Sequence, residues 1–390
     1  MLHRIEGLQK SLNEMALDAA LIWYSRDVLY YTGTAQPSVL AILPDSYRLF
    51  VKSGLERARR DVFIDLDRVE PVRNMAQIFD GLRDYGIKTN SRVGTELDVL
   101  PVAMWEDWKK LAPDWTFVSI TPSILRQRQI KEEHEVGLIR KACGAIDEGH
   151  LRVMKVLQAG MTELELAAEL EDAHRRAGHE GNYFMRHPDF FMGRGMFSSG
   201  PNLLQSTGVA LSLTGVGLSA ATPAGPSRRV IEKGDLVLID TPVMLEGYHM
   251  DHTRMYVAGK ADPLEARLHY ALEDIFYYAS ENIRPGKTWA ECVNEVTDFA
   301  ERLGVGESFQ NMQNGKKLHY IGHGVGLELN EPPLVTAKNN DPVLAGTVLA
   351  LEMQLLVKDR TAVKMEDMML IGEEKNEFLG ETPRKLFETE

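Results

Sequence analysis

The sequence predicts an α+β protein in two parts, an α/β domain over residues 1–125 and a larger domain over residues 126–390 built with a pseudo-twofold axis. Three observations predict it. Helix-period and strand-period patterns alternate from the start of the chain to about Ser119. A pattern of Gly, Thr, Glu and Gly then recurs in register 126 residues later. Finally, apolar runs in the second part carry isolated acids at strand positions, which a buried sheet tolerates only when something neutralises them.

The 390 residues are 44% hydrophobic and 26% charged, enough to build two full-sized cores and unlike a disordered chain. A formal net charge of -13 argues against nucleic-acid and anionic-membrane partners, which would meet like-charge repulsion. Cys143 and Cys292 lie far apart in helix-like segments without paired-metal spacing, as free thiols in a reducing compartment do. The first residues hold no long apolar core, and no apolar run reaches membrane-spanning length. The expected location is the cytoplasm.

In chain order, Leu2, Ile5, Leu8, Leu12 and Met15 recur at helical spacing, and Ala19 to Tyr24 follow as a short apolar strand. Ser38 to Leu43 and Tyr47 to Lys52 flank Pro44-Asp-Ser46 and read as a hairpin. Helices are expected near Met75 to Tyr85 and Val102 to Leu111. The charged stretch Leu125 to Glu135 interrupts this alternation ahead of a long amphipathic helix towards Leu157, which sets the domain boundary.

The repeat pairs Gly160-Met-Thr-Glu-Leu-Glu165 and Gly178 with Gly286-Lys-Thr-Trp-Ala-Glu291 and Gly304. Thr162 and Thr288 are N-cap residues with Glu165 and Glu291 closing capping boxes, and the later glycines end the helices. Each copy follows another long helix, the second running from Pro263 to Ile283. Two related helix pairs imply two related hairpins with a site between them.

Candidate ligands lie where those hairpins belong. Leu236 to Asp240 reads as a buried strand closing on an acid, and Gly247-Tyr-His-Met-Asp251-His-Thr-Arg254 as a second strand bearing Asp251. Glu352 interrupts the apolar strand Thr347 to Val357, and Glu366 the partner strand Ala362 to Ile371, on a face shared with Lys364. His323 sits between two glycines in a passage that continues Glu328-Leu-Asn330-Glu-Pro-Pro333. Four buried carboxylates and an imidazole conflict unless cations pair with them. Five such ligands suit two divalent ions about 3.5 to 4 Å apart. Oxygen donors with one nitrogen and no thiolate point to manganese, cobalt, iron or zinc.

The order Asp240, Asp251, His323, Glu352, Glu366, with the motifs around it, resembles the pita-bread metallopeptidases, above all Xaa-Pro aminopeptidases and prolidases. Residues 1 to about 125 resemble the creatinase-type N-terminal domain that accompanies that fold. The resemblance implies that Asp240 chelates one metal, Asp251 and Glu366 bridge, and His323 and Glu352 complete the other. It implies cleavage of small peptides at an amide next to proline by a hydroxide held between the metals, with Glu352 handling protons, His319 near the substrate, and a homodimer.

Three departures bear on substrate. Asn330 replaces a histidine, Ala220 to Ser227 lacks another, and Lys364 stands where an arginine is usual. Asparagine donates a hydrogen bond but is no general acid near neutral pH. The alternative is a hydrolase or lyase of a non-peptide small molecule on the same fold, and a catalytically silent binding protein is a third. His249 shares the face of Asp251 and is expected to be a supporting or buried hydrogen-bonded histidine rather than to compensate catalytically for the missing ones. The Gly- and Ser-rich stretch Phe190 to Leu213 is expected to line the pocket.

Overall fold

A computed structural model describes residues 1–187, 195–207 and 212–389 and separates into two compact units, Met1–Arg128 and Gln129–Glu390.

In the first unit the chain runs through α1 (Leu2–Glu14), β1 (Ala19–Ile22), α2 (Ser25–Thr32), β2 (Ser38–Ile42), β3 (Tyr47–Val51) and α3 (Leu55–Asp61). It continues through β4 (Val69–Pro71), α4 (Met75–Asp84), β5 (Arg92–Thr95), α5 (Val102–Leu111), β6 (Thr116–Ser119) and α6 (Thr121–Gln129). The sheet order is β4-β3-β2-β1-β5-β6, with the β2/β3 hairpin antiparallel and the outer pairs β3/β4 and β5/β6 parallel. Aromatic packing fills one face, where Phe79 stacks on Trp115 at 5.3 Å and meets Trp108 edge-on at 5.9 Å. Inside this unit Arg128 and Asp27 form a fully buried ion pair at 2.7 Å.

The second unit begins with α7 (Glu133–Val156) and α8 (Glu163–Arg176), then β7 (Met196–Ser199), β8 (Leu236–Asp240), β9 (Val243–Leu245), β10 (Tyr248–Met250) and β11 (Thr253–Val257). A second helix pair follows, α9 (Pro263–Asn282) and α10 (Trp289–Arg302), then β12 (Tyr320–Gly324), β13 (Glu331–Thr336), β14 (Val348–Val357) and β15 (Thr361–Leu370). The main sheet path is β13-β12-β14-β15-β11-β8-β7. Its order mirrors about the β15/β11 contact. In each half a hairpin, β8/β11 or β14/β15, carries an outer strand, β7 or β12, and follows its own helix pair.

The repeat supplies the helix pairs with matching ends. Both capping boxes close, Thr162 with Glu165 and Thr288 with Glu291. Past each C-terminus a glycine takes positive φ, +104° at Gly178 and +74° at Gly304, which lets the following amide reach back five residues. The caps even pair alike, Thr162 with Val230 ahead of β8 and Thr288 with Pro342 ahead of β14. On β14 and β15, Leu349, Leu351, Met353 and Met365 join the core that includes Leu272, Phe276 and Val296 from α9 and α10. Alternation then turns Glu352, Lys364 and Glu366 to the opposite face. On β8, Val237 and Ile239 pack with Val153 and Leu166 from α7 and α8, leaving Asp240 facing the other way.

One local expectation needs correction. Asp251 lies in the break between β10 and β11, and the extra β9/β10 hairpin separates it from β8. Its amide therefore escapes the main sheet ladder and points at Met368 Sδ, 3.3 Å away.

Candidate metal centre

Five side chains converge on the face opposite the helices. Asp251, His323 and Glu366 bring one ligand atom each within 4.8 Å of one another, and so do Asp240, Glu352 and Glu366. All five residues are buried, and Glu366 belongs to both groups. Register explains the convergence, since Glu352 faces Glu366 across β14/β15 and Thr253 lies opposite both Asp240 and Glu366. His323 lies opposite Ala350, two residues from Glu352 on the same face. Its flanking glycines make room for neighbouring backbone, because a Cβ on Gly322 would lie 2.6 Å from Ala350 O and one on Gly324 2.3 Å from Pro332 O.

Hydrogen bonds orient the donors. His323 Nδ1 lies 3.1 Å from Gly324 O, so the ring proton sits there and Nε2 is left facing Glu366 Oε1 at 3.7 Å. Thr253 Oγ1 donates to Glu366 Oε2 at 2.9 Å, and the His252 amide to Asp251 Oδ1 at 3.0 Å. Lys364 Nζ lies 2.5 Å from Asp240 Oδ2, 2.6 Å from Glu352 Oε1 and 3.4 Å from Glu366 Oε2. Tyr320 lies beside Glu352, whose charge adds to burial in raising the phenol well above its ordinary range.

These contacts set the ionisation of the cluster. Burial, only partly offset by Lys364 and aggravated by Glu366 and Glu352, pushes Asp240 up to about 7. Burial and the charges of Glu366 and Asp240 raise Asp251 far above the carboxylate range. Glu366 is also desolvated, but Lys364, His323 and Thr253 together hold it down to about 2. Burial works against the charged forms of His323 and Lys364, yet the carboxylates beside them win and both rise. One ammonium contacts three of the four acids and none contacts Asp251, and the five residues present ligating atoms that divalent cations would take up as the acids lose their protons. The residues present fit a divalent metal centre.

Residues 137–373 match the profile of Metallopeptidase family M24, and residues 4–130 that of the Creatinase/Prolidase N-terminal domain. The chain belongs to metallopeptidase family M24. It is a metallopeptidase with a creatinase-type first domain and a pita-bread second domain. It is 26% identical to an Xaa-Pro dipeptidase of Pyrococcus horikoshii over 99% of both chains. Its fold superposes on an X-Pro aminopeptidase of Thermotoga maritima with a TM-score of 0.80 at 23% identity, over 98% of this chain and 99% of that one. An Xaa-Pro dipeptidase from Bacillus anthracis gives 0.83 at 21%, over 99% of each. The family match favours a peptidase over the non-peptide alternative.

His319 is exposed ahead of β12 and lines a surface cavity of about 250 Å³ with Asn294 and Thr297 of α10. Among the described residues it makes no hydrogen bond or ion pair with the five. His249 has both ring nitrogens engaged, Nε2 accepting from the Phe184 amide and Nδ1 facing Gly326 O, each at 3.0 Å. It ties three segments together. Of the stretch Phe190 to Leu213, residues 190–194 and 208–211 lie outside the described residues, while Ser199 is committed to Glu163 at 2.7 Å. The sequence reading missed Tyr320 and Thr253 and the ion pairs of Lys364. Thr253 carried a signal in its place two residues after Asp251, and Lys364 in sharing a face with Glu366.

Proposed function

We propose that this M24 metallopeptidase hydrolyses small Xaa-Pro peptides at a centre held by Asp240, Asp251, His323, Glu352 and Glu366. The observation that carries the reading is the pair of three-donor groups sharing Glu366, a set suited to holding two divalent ions. Bound divalent ions supply Lewis acidity towards the scissile carbonyl and acidify the attacking water. The protein's own residues do the rest. Glu366, fixed by Thr253, and His323, fixed by Gly324 O, present preset ligand atoms, so little reorganisation is needed. The Glu352 carboxylate, held by Lys364, takes a proton from the water and returns it to the leaving nitrogen. The Xaa-Pro dipeptidase among the relatives supports proline specificity, and manganese, cobalt, iron or zinc are the metals such donors take.

We also infer a homodimer in the cytoplasm. Support comes from the pita-bread resemblance and from two buried free cysteines, Cys143 and Cys292. No described helix is long and apolar enough to cross a membrane.

The test is direct. Protein stripped by chelator and reloaded with manganese or cobalt should cleave an Xaa-Pro dipeptide, and Asp251→Ala should lose at least about a hundredfold in kcat/KM. Reloaded protein that cleaves dipeptides lacking proline but no Xaa-Pro peptide would remove the specificity and keep the peptidase.

A further inference from the structure

The cavity beside α10 lies on the helix side of the sheet, opposite the face on which the five ligands converge. Its floor shows this, since Val293, Phe309 and Ile321 line it and belong to the core that α9 and α10 build against β14 and β15. Its rim is exposed and basic. Lys317 and His319 come from the chain entering β12 and Lys338 from the chain leaving β13, two strand ends that the Tyr320–Thr336 pairing brings side by side. The protein carries 57 aspartates and glutamates against 44 lysines and arginines, yet among the described residues no acid lines this cavity. Neither His319 nor Lys338 enters an ion pair with a described residue. Lys317 Nζ donates to Gly306 O at 2.5 Å and to Phe309 O at 3.1 Å, which fixes the ammonium and leaves one of its three N–H groups unused.

We propose that this cavity is a binding site for a small carboxylate with an apolar body, its charge held by Lys317, His319 and Lys338 and its body seated on Val293, Phe309 and Ile321. Each part of the lining selects against another class of ligand. A neutral molecule would leave the rim cations without the charge-assisted hydrogen bonds that an anion supplies. An ammonium would find no acid to meet it, and an anion without a hydrocarbon part would leave the floor uncovered. The volume of about 250 Å³ falls below the roughly 300 Å³ at which pockets for drug-sized ligands begin, so the ligand is small. The site is separate from the metal centre and does not depend on the metallopeptidase reading.

The experiment titrates the full-length protein with 4-methylpentanoate, its neutral amide 4-methylpentanamide, and acetate, following saturation transfer to the ligand methyl groups by nuclear magnetic resonance. The acid should bind with a dissociation constant of about 1 mM, the scale that its few heavy atoms allow. The amide, which lacks the charge, and acetate, which lacks the body, should each bind at least about tenfold more weakly. Lys338→Glu and Asn294→Asp place an acid in the lining at exposed positions, where the fold tolerates substitution, and each should weaken the acid at least about fivefold. Protein dialysed against chelator and then freed of it should bind the acid as tightly as protein loaded with manganese. Equal binding of the acid and either control would overturn the ligand class, and unchanged binding in both variants would overturn the site. Binding seen only in the loaded protein would place the carboxylate on the metal centre and overturn the proposal as well.

Discussion

Glu366 serves both donor groups, so what fixes its carboxylate fixes the whole centre. Thr253 does this from β11 through a 2.9 Å hydrogen bond, at the one described register position joining β11 to β15. Thr253→Val keeps the shape and removes the bond. It should weaken metal binding roughly 10- to 100-fold while leaving the fold intact. An unchanged manganese isotherm would show that Glu366 needs no such support. The shared face of Glu352 and Glu366, and the inward turn of Asp240, could be read from the sequence because each acid interrupts or closes an apolar run and alternation decides its face, whereas Asp251 lies in a strand break where alternation says nothing. Tyr320 could not. A register shift between Tyr320 and His323 breaks the alternation of β12 and brings both to the same cluster, and nothing in the local composition announces that bulge. Lys364 was legible as a neighbour of Glu366 on one face, but its ion pairs with Asp240 and Glu352 depend on two other strands.

At the scale of elements, a buried carboxylate holds together Ser199, Asn202 and Ser227 between α8 and β8. Glu163 Oε1 accepts from Ser199 N and Oγ at 2.7 Å and Asn202 Nδ2 at 3.0 Å, while Oε2 accepts from Ser227 N at 2.9 Å and Oγ at 2.6 Å. Both oxygens are saturated with donors. Glu163→Gln turns an amide NH₂ towards some of them, and with hydrogen bonds to charged groups worth about 1.5 to 3 kcal/mol each, a loss of roughly 3 kcal/mol is expected. Urea unfolding measures it, and a change under about 1 kcal/mol would show that the clasp is dispensable. The contrast with the regular elements shows what a sequence discloses. Helix α5 and the paired caps of α8 and α10 are written in local patterns, as are the long strands β14 and β15. The path from Ser199 to Ser227 is set by distant hydrogen bonds to Glu163, so no local pattern marks it. Helix α2 was also unmarked, for its eight residues are too short to show helical periodicity.

For the whole molecule, the buried cluster couples stability to both protons and metal. Folding raises the Asp240 pKa from 3.8 to about 7, so in metal-free protein the folded form binds a proton over that interval and the unfolded form does not. The stability this contributes is fully present below 3.8 and is lost as pH rises through 7. His174 runs the other way. Burial, then the charge of His179, lowers it from 6.5 to about 3, so its contribution is present above 6.5 and is lost as pH falls towards 3. Metal ligation needs ionised carboxylates and a neutral His323, and His323 is itself raised by Glu366. Protons therefore compete with metal at the centre, while His174 titrates alike in loaded and stripped protein. The difference between the two thermal midpoints cancels the histidine and isolates the centre. That difference should be largest above pH 7 and shrink steadily towards pH 5, reflecting a loss of stabilisation of up to about 1.4 kcal/mol per pH unit for each proton displaced. Thermal scans with saturating manganese and with chelator, across that range, measure it. A difference independent of pH would show that the metal meets already ionised ligands, and that Asp240 is not the group holding the proton.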